Sequence, residues 1–214
     1  MDIHILTLFP ETLAPILEAS IIGRAQKKGL AKIIYHQLRN FAVDKRGTVD
    51  GKPYGGGVGM ILRVEPVYNA LIDIKKRCSK KPKTILLTTK GRVYTQALAR
   101  TLSQEKSLIL ICPHYEGYDE RIATLVDDHI SIGNFILTGG EIPALVIVDS
   151  VIRLLPEVLT KSEAVVEESF SEGEKLEHPQ YTRPEVFNGL RVPEILLSGH
   201  HGLIKQWKAT SQKD

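Results

Sequence analysis

The sequence predicts an α/β fold, a mostly parallel sheet with helices covering both faces. Short apolar runs alternate with helix-length segments along most of the chain, the order that builds βα units. The run Leu108-Ile109-Leu110-Ile111 is apolar at every position, as a strand buried on both faces must be. Three loops rich in glycine and polar residues follow apolar strands, where open α/β sheets place their ligands. At 214 residues, 43% hydrophobic and 25% charged, the chain is long enough for one substantial domain with a small annex.

Ile3 to Leu8 reads as the first strand, and Pro10 opens a helical segment that runs to about Lys28. Gly29 stops that helix, and Ile33-Ile34-Tyr35 makes a second strand. Asn40 to Gly59 has no apolar periodicity and reads as a long loop, a length that usually carries function. Glu65 to Lys80 is a helix with Val67, Leu71, Ile74 and Cys78 on one face. Thr84 to Leu87 is a strand, Thr95 to Leu102 a helix, and Leu108 to Ile111 the buried strand. His129 to Ile132 is a further strand that leads through a glycine-rich turn into the apolar helix Ile142 to Leu155. Thr160 to Gln180, rich in glutamate, reads as a mobile linker, and Tyr181 to Asp214 as a small unit of short helices around Trp207.

Composition excludes several classes. No apolar run approaches the ~20 residues that span a bilayer, and no basic region precedes the first apolar stretch. A cytoplasmic protein is expected, with Cys78 and Cys112 as two buried thiols too far apart for a CxxC motif. A net charge of +3 does not by itself indicate nucleic acid, and Lys27-Lys28, Lys75-Lys76-Arg77 and Lys80-Lys81 each read first as solvated helix faces or turns. His178, His200 and His201 have no metal-site spacing, so no metal ligand is assigned.

The three loops at strand ends are Thr88 to Arg92, Pro113 to Arg121 and Gly133 to Glu141. Their glycines let the backbone approach a ligand, and free amides and carbonyls suit an adenine edge. Any one of them alone is ordinary turn chemistry; three in succession imply a binding cleft. Tyr54-Gly55-Gly56-Gly57-Val58-Gly59-Met60 fails as a dinucleotide fingerprint, lacking both the preceding strand and the GxGxxG spacing. It reads as a flexible loop near a substrate.

Six strings carry a specific resemblance: LFPE (Leu8 to Glu11), KPYGGGVGM (Lys52 to Met60), YEGYDER (Tyr115 to Arg121), SIGNFILTGGEIPALV (Ser131 to Val146), HPQYTRPEVFNG (His178 to Gly189) and VPEILLSGHH (Val192 to His201). In this order they resemble the bacterial tRNA (guanine-N1)-methyltransferase family of the SPOUT superfamily, from Met1 to about Lys208. The resemblance implies S-adenosylmethionine bound in the three loops, a deep trefoil knot near the C-terminal end of the sheet domain, and a homodimer whose active site uses both subunits. Pattern and topology rules alone predict an unknotted sheet. The implied domains are residues 1–159 for methyl transfer, a linker over 160–180, and a short tRNA-binding unit over 181–214.

The implied cofactor contacts are Tyr115, Glu116, Gly117, Ile132, Gly133, Phe135, Leu137, Gly139, Gly140 and Pro143. Glu116 is also expected against the target guanine, with Asp50 and Arg183 on the tRNA side. The implied general base is Glu168 and the implied electrostatic stabiliser Arg153. The family has aspartate at the base position, proline at Thr89 and Val58, Gly-Arg at Pro113-His114, and aspartate at Asn134. Pro113 donates no backbone hydrogen bond, so an altered adenosine pocket is expected. Family members commonly continue past the Trp207 region into helices that grip tRNA; if such helices are absent, weaker RNA binding with a retained cofactor site is expected. Magnesium is left open by the resemblance. Competing readings are a SPOUT methyltransferase with shifted RNA specificity, a weakened anticodon-loop binding protein, and, most remotely, a dinucleotide redox enzyme.

Overall fold

The structure is a computed structural model that describes residues 1–160, 168–171, 173 and 175–211. The chain divides into two compact units, Met1–Thr160 and Lys161–Asp214.

The first unit is built on five strands: β1 (Asp2–Thr7), β2 (Lys32–Gln37), β5 (Lys83–Val93), β6 (Ser107–Ile111) and β7 (Asp128–Ser131). They form one sheet in the order β2-β1-β6-β5-β7, and every pairing is parallel. The expected mostly parallel sheet is present. Alternation along the strands sorts the core into two layers. Ile3, Ile5, Ile85, Leu87, Leu108 and Leu110 face helices α1 (Pro10–Leu17), α2 (Ser20–Lys27), α4 (Gln96–Ser103) and α5 (Glu141–Ile152). Leu6, Leu86, Ile109 and Ile111 face α3 (Val64–Arg77) and two 3-10 turns, Leu38–Phe41 and Glu120–Leu125.

Three elements differ from the sequence reading for identifiable reasons. The expected helix from Pro10 to Lys28 is two, because the chain turns at Ser20, whose φ is +48°. Gly23 permits the turn: a Cβ there would run into the Glu18 carbonyl oxygen. The loop from Asn40 to Gly59 holds a short strand, β3 (Asp50–Gly51), which pairs antiparallel with β4 (Ile61–Leu62). The expected strand Thr84 to Leu87 continues to Val93. Leu87 and Arg92 both stand opposite Ile130, so Thr88 to Gly91 leave the ladder as a bulge. Gly91 closes that bulge, because a Cβ there would overlap the backbone of His129 and Ile130.

One side of the sheet carries a polar cluster that the sequence did not reveal. His4 Nδ1 and His36 Nε2 are 2.9 Å apart with their rings stacked, and Cys78 Sγ lies 3.4 Å from His4 Nε2. Cys112 is buried as expected, whereas Cys78 is only partly so. A thiol donating to His4 Nε2 leaves the His4 proton on Nδ1, which then donates to His36 Nε2, so a directed chain of neutral groups satisfies the cluster. Burial, then the adjacent His4, then Arg77 push His36 down to about 4, against a pull from Asp73. Burial also lowers His4.

The second unit holds a hairpin, β8 (Val186–Phe187) with β9 (Leu190–Arg191), then α6 (Glu194–Leu197) and α7 (His201–Thr210). The hairpin was absent from the sequence reading. His178 and Tyr181 pack around Trp207, with ring centroids 6.1 and 6.4 Å away. Of the linker expected over 160–180, residues 161–167, 172 and 174 lie outside the described residues. Phe170 N–H donates to the Lys175 carbonyl at 2.8 Å, and Glu177 N–H to Ser169 Oγ at 3.1 Å. Among the described residues, no helix is long and apolar enough to cross a membrane, and no cluster of three histidine, cysteine or carboxylate side chains is placed to hold a metal.

Two predictions follow from these packing arrangements. Gly91→Ala should destabilise the protein by about 1–3 kcal/mol in denaturant unfolding, since the methyl meets backbone that has no room to move. The depressed His36 gives stability that is full above the ordinary value of 6.5 and falls as pH drops toward about 4, because the unfolded chain takes up the proton first. Melting curves between pH 6.5 and 5 should therefore decline more steeply for the wild type than for His36→Gln.

Candidate active site

Parallel strands deliver their carboxyl ends to one edge of the sheet, and three segments converge there. They are the bulge after Leu87, the loop after β6 and the loop after β7. Together they enclose an open cleft of about 200 Å³. All ten residues expected to touch the cofactor line it: Tyr115, Glu116, Gly117, Ile132, Gly133, Phe135, Leu137, Gly139, Gly140 and Pro143. Thr88, Thr89, His114 and Tyr118 complete much of the remaining wall.

The cleft exists because the segment after β7 turns back. β7 lies at the sheet edge, yet the chain that leaves it returns past β5 to the ends of β6 and β1. Gly140 N–H donates to the Pro113 carbonyl at 2.9 Å. Thr7 Oγ1–H donates to Glu141 Oε1 at 2.6 Å. No side chain fits at the crossing: a Cβ on Gly140 would sit 2.5 Å from Cys112 Cα and 3.0 Å from Pro113 Cδ. Pro113 thus accepts the Gly140 hydrogen bond through its carbonyl, the half of its peptide chemistry that proline keeps. Gly133, with φ at +150°, brings the backbone under the Phe135 ring, where a Cβ would overlap the ring edge.

The loop after β6 is held from the other side by the glycine-rich segment. Glu116 N–H donates to the Met60 carbonyl at 3.1 Å, Leu62 N–H to the Gly117 carbonyl at 2.9 Å, and Asp119 N–H to the Leu62 carbonyl at 2.8 Å. These bonds hold Tyr115 at φ +68°, a left-handed conformation that a bulky residue adopts only when its surroundings impose it. Gly59 packs directly on the Glu116 side chain. Burial, then the nearby Asp50 carboxylate, raise the Tyr115 hydroxyl above the ordinary phenol range, against the opposing charge of Arg39. Asp50, expected on the substrate side, thus stands close enough to act electrostatically on a cleft residue. The tip of the glycine loop stands free in solvent, with Tyr54 101% and Val58 91% exposed.

The remaining expected site residues lie apart from this cleft or in the other unit. Arg153 caps the C-terminal end of α5, its N–H donating to the Asp149 carbonyl at 3.2 Å. Glu168 and Arg183 belong to the second unit, Glu168 in a turn whose carbonyl accepts from Ser171 N–H at 3.1 Å. Sequence reasoning missed the Thr7–Glu141 hydrogen bond that holds the returning segment. Thr7 ends a strand, and its position carries no local pattern that distinguishes it.

A family profile described as tRNA (Guanine-1)-methyltransferase TrmD matches residues 1–214. A tRNA (guanine-N(1)-)-methyltransferase of Streptococcus sanguinis (strain SK36) is 53% identical over 208 residues, 97% of this chain and 84% of that protein. A relative of the same name from Streptococcus pyogenes serotype M4 is also 53% identical, with the same coverage. Among solved structures, a tRNA (m1G37) methyltransferase from Aquifex aeolicus superposes with a TM-score of 0.81 at 40% identity, covering 97% of this chain and 87% of that one. The chain belongs to the tRNA (guanine-N1)-methyltransferase family, and its chemistry is transfer of a methyl group to N1 of a guanine in tRNA.

Proposed function

We propose that the cleft holds S-adenosylmethionine, and that the target is the guanine at tRNA position 37, just 3′ of the anticodon. The convergence of three strand-end loops on one glycine-walled cleft carries the reading. Gly133, Gly139 and Gly140 expose backbone where an adenine edge needs donors and acceptors, and apolar Ile132, Phe135 and Leu137 suit the faces of the base. The sulfonium of the bound donor supplies an electrophilic methyl group. Position 37 is the site in the name of the Aquifex aeolicus relative.

The chain's own residues supply the proton chemistry. Guanine N1 carries a proton that must leave as the N1–methyl bond forms, and negative charge moves onto O6. Glu168 takes the N1 proton, and the Arg153 guanidinium stabilises the charge on O6. Glu116, held by Gly59 and the Met60 carbonyl, orients the guanine or the methionine end of the donor. Asp50 and Arg183 contact tRNA. The reading assigns no step to magnesium and places the protein in the cytoplasm.

The same reading makes the enzyme a homodimer with sites shared between subunits. From Gly140 to Arg153 α5 spans about 20 Å at 1.5 Å per residue, so Arg153 stands a helix length from the cleft of its own chain. A partner subunit is the means by which this arginine meets a cleft. Exposed apolar side chains on and beside the same helix, Ile136, Ile142 and Val146, supply surface for such an interface. The return of the β7–α5 segment to β6 and β1, past β5, supports the knotted path expected of a SPOUT fold. The alternatives of a weakened binding protein, shifted RNA specificity and redox chemistry find no support in the relatives.

Two tests bear on this reading. Labelled methyl transfer to anticodon-loop transcripts should require guanine at the target position, and Glu168→Gln should cut it by about a hundredfold or more while donor binding persists. Equal labelling of adenine transcripts, or an unimpaired Glu168→Gln, would contradict it. Mixing inactive Arg153→Ala with a cleft-blocked Gly140→Val protein should restore roughly a quarter of wild-type activity, through mixed dimers with one intact site. A mixture that exchanges subunits yet stays inactive would argue against shared sites.

A further inference from the structure

Glu141 has no part in the chemistry above, yet the structure puts its carboxylate at the joint of the cleft. Its Oε1 accepts the Thr7 hydroxyl proton at 2.6 Å, across 134 residues of chain. Thr7 is fully buried at the end of β1, and its Oγ1 in turn accepts from Phe9 N–H at 3.0 Å. The second oxygen, Oε2, lies against Gly139 where a Cβ would stand, and His114 Nδ1 lies 2.7 Å from that same point. His114 Nδ1 is buried without a hydrogen-bond partner, its ring packed edge-on between Phe9 and Tyr115 with centroids 4.9 and 5.3 Å away.

We infer that Glu141 is a positioning residue for donor binding: bonded to Thr7 and packed, with His114, against Gly139, it fixes the Gly139–Gly140 turn that walls the cleft. A charge-assisted hydrogen bond to a buried hydroxyl is short, directional and costly to break. Thr7 belongs to an interior strand of the sheet, so the bond transmits the rigidity of the core to a loop that the Gly140–Pro113 bond also holds at this end. His114 is the neighbouring contact: its ring, like the Glu141 carboxylate, stands where a Gly139 side chain would go, so the two together close in Gly139. The inference rests on the donor reading of the cleft. It adds that the affinity for the donor, rather than the methyl-transfer step, depends on a residue pair that takes no part in the proton chemistry.

The experiment is calorimetric titration of S-adenosylhomocysteine into the full chain, with melting temperatures and saturating-donor kcat measured alongside. The variants are Thr7→Val, Thr7→Ser, Glu141→Ala and Glu141→Gln. Thr7→Val keeps the shape and removes the hydroxyl; Glu141→Gln keeps an acceptor oxygen. Thr7→Val and Glu141→Ala should each weaken binding by about tenfold, with kcat at saturating donor within about threefold of wild type. Thr7→Ser and Glu141→Gln should restore most of the affinity. The Thr7→Val/Glu141→Ala double variant should lose little more than either alone, as partners in one interaction do. Affinities within twofold of wild type would overturn the inference. So would losses that track the melting temperature and are not rescued by Thr7→Ser, since that pattern marks a purely structural pair. Wild-type protein that fails to bind S-adenosylhomocysteine would sink the donor reading, and this inference with it.

Discussion

The hydrogen bond from Gly140 N–H to the Pro113 carbonyl is the constraint on which the site depends. It requires the chain leaving the edge strand β7 to come back to the end of β6, two positions away in the sheet. The crossing is so close that only glycine fits against Cys112 and Pro113. Everything else in the cleft is arranged around this return. Gly133 and Gly139 thin the returning loop, the Thr88–Gly91 bulge moves β5 out of the ladder beside it, and α5 carries the chain away beneath the sheet with Ala144, Ile147, Val148, Val151 and Ile152 fully buried.

That burial explains how an irregular loop is kept in one conformation. A glycine-rich segment loses more backbone freedom on ordering than other sequences, and its own contacts do not offset the cost. The segment is ordered because its two ends are not free: β7 is fixed in the sheet, and α5 is fixed by the apolar layer it shares with α1, α2 and α4. The loop after β6 is treated differently. It is pinned laterally by main-chain bonds to Met60 and Leu62, which drive Tyr115 into the left-handed region and leave Glu116 beside Gly59. One wall of the cleft is therefore set by core packing, and the other by a small two-strand hairpin.

Much of this was legible in the sequence, for physical reasons. The all-apolar run of β6 announces a strand covered on both faces, and glycines after apolar strands announce a cleft, because burial and close approach each leave a residue-type signature. The layer that Ile3, Ile5, Leu108 and Leu110 share became visible only in the structure, where alternation along each strand sorts the two faces. What was not legible is long-range. Thr7 and Glu141 are 134 residues apart, and a threonine at a strand end looks like any other. The bulge in β5 was read as a strand end, since Thr88 to Gly91 break the apolar pattern and the strand resumes only because Arg92 and Val93 find Ile130 and Ser131. The His4–His36–Cys78 chain joins two strands and a helix end, and its residues carry no shared motif. The proposed knotted path is an expectation that only the resemblance supplies, since general topology argues against it.

The account's central claim is that the three strand-end loops together bind the methyl donor. Hydrogen exchange of backbone amides, read by mass spectrometry with and without S-adenosylhomocysteine, tests it most directly. Protection concentrated in residues 88–91, 113–118 and 132–140, with the second unit unchanged, is the result the account predicts. Protection confined to the Tyr54–Met60 loop or to the second unit, with the strand-end loops exchanging as before, would contradict it.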